Sequence, residues 1–129
     1  MFASIRNDAL FYQDVGQGEP VVLIPGLGTT HQFFRGLTER LQQTYRVIAL
    51  DLRGVGQSKS SIHEYSMEGW ADDVAGVMDH LGIASAHILG SSLGGCVAQV
   101  MAVNHAERIR SLILTATFPE IDPLLELNY

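Results

Sequence analysis

An α/β fold, with a mostly parallel sheet, helices on both faces and an N-terminal antiparallel hairpin, follows from three features of the 129-residue chain. Short apolar runs alternate with segments whose apolar residues recur at helical spacing, the pattern of strands joined by helical crossovers. Two of those runs, Val21-Val22-Leu23-Ile24 and Val47-Ile48-Ala49-Leu50, are continuously apolar, as strands covered on both faces must be. Each inner strand stops abruptly at a glycine-bearing turn, and right-handed crossovers between such strands build a parallel sheet.

Phe2 to Arg6 and Leu10 to Gln13 read as the hairpin strands, joined by Asn7-Asp8-Ala9 and followed by the turn Gly16-Gln17-Gly18. Val21 to Ile24 is the next strand, ending in Pro25-Gly26-Leu27-Gly28-Thr29-Thr30, a loop whose small residues let a backbone N–H approach a ligand. Phe33, Phe34, Leu37 and Leu41 recur at helical spacing and predict a helix with that stripe against the sheet; the alternative is that the two aromatics line a cavity. Tyr45 to Leu50 forms a strand leading into Asp51-Leu52-Arg53-Gly54-Val55-Gly56-Gln57-Ser58. Asp51 and Arg53 suggest an ion pair there, yet an Asp side chain with Gly54, Gly56 and Ser58 is also what a tight turn leaving a strand uses.

A helix opens at Ser66 or Met67, carries Trp70, Val74, Val77, Met78 and Leu81 on its apolar stripe, and ends at Gly82. Ser66 has Gly69 three residues later, so its capping box is incomplete. Ala86 to Leu89 is a short buried strand, Gly95 to Asn104 a helix, and Ile109 to Ala116 a last strand before a polar, proline-bearing tail. Nothing in the chain repeats or has the composition of a linker, so residues 1–129 read as a single domain.

The chemistry is concentrated at Gly90-Ser91-Ser92-Leu93-Gly94. The pattern G-x-S-x-G between a strand and a helix is the nucleophile elbow, in which a sharp turn lifts the central serine clear of the sheet. Glycine and serine crowd ordinary turns too, and the flanking strand and helix are what favour the elbow. The glycine spacing selects Ser92 over Ser91. The backbone N–H of Leu93 opens the following helix and points at any oxyanion formed by attack from Ser92.

The oxyanion-type loop after one strand, the D-x-R-G-x-G-x-S turn after the next and G-x-S-x-G after the third together resemble the N-terminal half of the α/β-hydrolase fold, from about Ala9 to Thr117. Leu27-Gly28-Thr29 is similar to the esterases and lactonases of the enol-lactonase type. The resemblance implies a serine hydrolase of a carboxylic ester, lactone or similar acyl compound, with Ser92 as nucleophile and the N–H groups of Leu27 and Leu93 as the oxyanion hole. The chain departs from the family at Pro25-Gly26, where many relatives have His-Gly, and at Ser91, often His; neither change removes a reacting group.

In this family the triad runs Ser, then acid, then His. With the one strand that follows Ser92, the chain supplies six of the family's eight strands, so no acid or histidine takes those places, and the cap would begin about where the chain stops. The reading is therefore of a truncated α/β-hydrolase domain, weak or inactive alone. The alternative is a non-catalytic remnant that binds a small ligand or self-associates. Its strand 109–116 would be an unpaired apolar edge, which predicts a homo-oligomer or union with a complementing C-terminal fragment.

Of the five histidines, His80, His87 and His105 fit structural roles, whereas His31 and His63 fall on the catalytic side and suit surface or substrate contacts better than base catalysis. Glu120 and Asp122 follow the last strand, where some relatives place the acid; without a histidine to orient, they read as a solvated tail. Cys96 lies four residues after Ser92 and reads as a small buried hydrophobe. One cysteine permits no intramolecular disulfide.

Hydrophobic residues make up 47% and charged residues 17%, which excludes the disordered class. The net charge of −6, spread without blocks, argues against nucleic acid and anionic membranes as partners. Asp79-His80 is not a metal pair, since adjacent helical residues point apart, and neither metal nor cofactor is expected. With no membrane span and no secretory-type start, a cytoplasmic location is the expectation.

Overall fold

The computed structural model describes residues 1–60 and 64–119; His63, Glu120 and Asp122 lie outside the described residues. Six strands form one sheet: β1 (Phe2–Ile5), β2 (Asp8–Val15), β3 (Pro20–Ile24), β4 (Arg46–Leu50), β5 (Ala86–Ser91) and β6 (Ile109–Thr115). Three helices accompany it, α1 (Arg35–Leu41), α2 (Met67–His80) and α3 (Leu93–Asn104). The strand order is β1-β2-β4-β3-β5-β6, with β4, β3, β5 and β6 parallel and β1 and β2 antiparallel.

The hairpin is tighter than the expected three-residue link. Arg6 and Asn7 both have positive φ, +47° and +68°, the two-residue turn whose twist matches that of the flanking strands. The register Ile5↔Asp8 follows, and β2 runs on to Val15 because its far end pairs with β4.

Alternation along β3 divides the core between the two faces. Val21 and Leu23 join Phe34, Val47 and Ala49 under α1, whereas Val22 and Ile24 join Ile48, Leu50 and Ile88 under α2 and α3. The predicted stripe on the first helix is only half right. A 3₁₀ turn at His31–Phe34 precedes α1, so the helical phase shifts; Phe34 is buried, but Phe33 is 61% exposed and Leu37 is partly exposed. In α2 the Ser66 hydroxyl accepts from Gly69 N at 2.9 Å, so half the capping box forms, and Gly82 follows the helix at φ +69°.

Arg53 is buried and does not form the suggested pair with Asp51. Its guanidinium forks onto Asp73 of α2 at 2.8 and 2.9 Å, reaches the Ile5 carbonyl at 2.8 Å and pairs with Asp8. Hydrogen bonding to Asp73 raises its affinity for the proton further, against the opposing effect of burial. This network ties the hairpin to α2, and Trp70 Nε1 donates to the Arg53 carbonyl at 3.1 Å. β6 is the outer strand, with Leu112, Ile113 and Leu114 all exposed.

Candidate active site

Ser92 alone separates β5 from α3, at φ +55° and ψ −118°. A non-glycine residue holds that conformation only where its surroundings over-determine it. They do so here through the backbone. Ser92 N donates to the Thr115 carbonyl at 3.0 Å, and the Ser92 carbonyl accepts from Gly95 N at 2.9 Å and from the Thr117 hydroxyl at 2.7 Å. The serine hydroxyl makes no capping bond and is half-buried, whereas Ser91 is buried.

Small residues make the elbow possible by close approach. A Cβ on Gly90 would overlap the Gly94 carbonyl, and one on Gly94 would overlap the carbonyls of Ile24 and Pro25. Strand, helix and the loop after β3 therefore touch backbone to backbone. A Cβ on Gly26 would stand 3.2 Å from Ser92 Cβ and 3.7 Å from its Oγ, so the loop lies against the serine. Leu27 comes next, half-exposed, in a turn closed by Thr29, whose N–H and hydroxyl both donate to the Gly26 carbonyl, at 3.2 and 2.8 Å. Leu93 is the first residue of α3, where an N–H lacks an intrahelical acceptor and the helix end carries partial positive charge. Ser92 and Leu93 thus lie beside Gly26, with Leu27 next in that loop, at the C-terminal ends of β3 and β5.

Asp51 serves its turn and also the loop before it. Its carboxylate is buried, accepts from Gln57 N at 2.9 Å, and meets both the backbone N–H and the ring Nδ1 of His31 at 2.8 Å. Ser58 completes the turn, donating to the Asp51 carbonyl at 2.7 Å and accepting from Phe11 N at 2.8 Å. The His31 contact was hidden from sequence reasoning because twenty residues separate the partners. His31 lines a cavity of about 610 Å³ with Gln13, Arg35, Glu39 and Gln42, and Ser92 is not among its walls.

The other histidines sit elsewhere. His80 packs edge-on to Tyr12, His105 binds Asp72 at 2.8 Å, and His87 bonds Ser111 and Glu19. Cys96 is buried, its sulfur 3.6 Å from both the Thr117 hydroxyl and the Phe118 carbonyl. Thr117 was not flagged by any local pattern, yet it bonds the Ser92 carbonyl and covers Gly95, so it braces the elbow. Among the described residues no group of three His, Cys, Asp or Glu could hold a metal ion, and no helix is long and apolar enough to cross a membrane.

Known proteins share this fold. The chain is 35% identical over 128 residues to a 2-hydroxymuconate semialdehyde hydrolase of a Pseudomonas strain, which covers 96% of this chain and 44% of that protein. A hydrolase from Pseudomonas aeruginosa superposes with a TM-score of 0.93 at 29% identity, over 99% of this chain and 49% of its own. The enol-lactonase of Burkholderia xenovorans superposes with a TM-score of 0.84 at 32% identity, over 87% of this chain and 45% of its own. The chain spans less than half the length of these relatives. The family model described as alpha/beta hydrolase fold matches residues 19–129, and with the strand order, the elbow and the loop against it, the chain belongs to the α/β-hydrolase family.

Proposed function

We propose that the chain carries the nucleophile half of a serine hydrolase acting on a carboxylic ester, lactone or related small acyl compound. Ser92 attacks the carbonyl carbon, and the N–H groups of Leu27 and Leu93 stabilise the oxyanion. The observation that carries this reading is the left-handed Ser92, its hydroxyl without a hydrogen bond among the described residues, with Gly26 packed against it. The likeness to an enol-lactonase supports an acyl substrate.

No described histidine is hydrogen-bonded to Ser92, and the chain by itself is expected to be a poor esterase. An oxyanion hole without its triad still gives about a thousandfold over water. Hydrolysis of p-nitrophenyl acetate is expected to be slow and to lose most of its rate in Ser92→Ala. Peptide mapping after fluorophosphonate treatment is expected to find an adduct on Ser92. A chain that never takes an adduct there has an elbow that is architecture only, and the reading is wrong.

The exposed edge of β6 favours a second reading, in which the chain self-associates or takes a complementing strand there. Sedimentation equilibrium is expected to show a concentration-dependent dimer, weakened when Ile113→Lys places a charge on that strand. A chain that stays monomeric at all concentrations removes this second reading.

A further inference from the structure

On the sheet face shared with α1, away from the elbow, a second serine is linked through an imidazole to a carboxylate. His87 on β5 lies opposite Ser111 on β6, and its Nδ1 is 2.6 Å from the Ser111 Oγ. The other ring nitrogen, Nε2, is 3.1 Å from Glu19 Oε2. We propose that Ser111, His87 and Glu19 form a second reactive-serine site, independent of Ser92, that takes activated esters with an alkyl or aryl acyl group.

The tautomer follows from the carboxylate. Hydrogen bonding from His87, with the charge of Arg110, holds Glu19 below the usual carboxylate range, so it is ionised at neutral pH. Arg110 Nη1 donates to its other oxygen at 2.9 Å and fixes its position. An ionised carboxylate keeps the proton on Nε2, which leaves Nδ1 as the acceptor for the Ser111 O–H. That is the serine–imidazole–carboxylate logic with the two ring nitrogens exchanged.

In the reaction the Ser111 oxygen bonds to the acyl carbon as its proton passes to His87 Nδ1. The proton then moves to the leaving oxygen as its bond to carbon breaks, and Glu19 stabilises the transient imidazolium. Leu89 and Ile113, the next pair on the same face, form an apolar platform for the acyl group. The amides of β5 are committed to ladders with β3 and β6 and give no oxyanion hole, so the site is confined to esters with good leaving groups.

The test uses the Ser92→Ala protein, which removes the first site. Fluorophosphonate treatment followed by intact mass and peptide mapping is expected to show one adduct, on Ser111, absent in Ser92→Ala/Ser111→Ala. His87→Gln in the same background is expected to slow labelling about a hundredfold, with an unchanged far-ultraviolet circular dichroism spectrum. Absence of an adduct on Ser111, or an adduct rate indifferent to His87→Gln, overturns the proposal whether or not Ser92 proves reactive.

Discussion

Arg53→Met is expected to cost the fold about 3 kcal/mol, because it removes the buried cation shared by Asp73 and Asp8 and leaves Asp73 to the half-exposed Arg6, 3.0 Å away. Asp73 is as deeply buried as Arg53, and Asp8 nearly so. Against a total stability of about 5–15 kcal/mol, that loss takes much of the margin. Arg53→Lys is expected to recover little, since one ammonium cannot replace the two-pronged contact with Asp73 while also meeting Asp8 and the Ile5 carbonyl. The double variant Arg53→Met/Asp73→Asn is expected to lose less than Arg53→Met, because one buried negative charge goes with the cation. Urea unfolding followed through the single tryptophan measures all three, as Trp70 is bonded to the Arg53 backbone. A shift below about 1 kcal/mol for Arg53→Met would place the pair with ordinary surface bridges and refute the account.

Gly94→Ala is expected to cost about 3 kcal/mol, the upper range for an overpacked core. The added methyl meets the carbonyls of Ile24 and Pro25, backbone atoms at the end of β3 and the start of its loop that cannot rotate away as a side chain would. Relief requires the loop after β3 to retreat from α3, and that loop carries Gly26 and Leu27. The variant is therefore expected to lose labelling of Ser92 even where the chain stays folded. By contrast Gly36→Ala, at a helical position with open space, is expected to leave both stability and labelling within the range of surface substitutions. If Gly94→Ala labels at the wild-type rate, the loop does not depend on this contact.

The candidate site was legible because its elements are local. A glycine–serine elbow needs small residues at fixed distances along one stretch of chain, and Gly90, Ser92 and Gly94 show that spacing directly. The half-stripe on α1 was misread for a related reason. Periodicity sets the phase of a helix only if the helix starts where expected, and the 3₁₀ turn at His31–Phe34 advanced it and turned Phe33 outward. The hairpin ends shifted because positive φ at Arg6 is a property of the turn, and the arginine side chain does not advertise it.

The sequence by itself determined the fold class, the order of strands and helices along the chain, the buried faces of β3 and β4, and the elbow at Ser92. Tertiary structure alone decided which side chains meet: Asp51 with His31, Arg53 with Asp73 and Asp8, Thr117 with the Ser92 carbonyl, and His87 with Ser111 and Glu19. The physical reason is that periodicity and turn chemistry act over a few residues. Those partners are brought together by the strand order, which places β4 beside β2 and β6 beside β5, and no local pattern records that order.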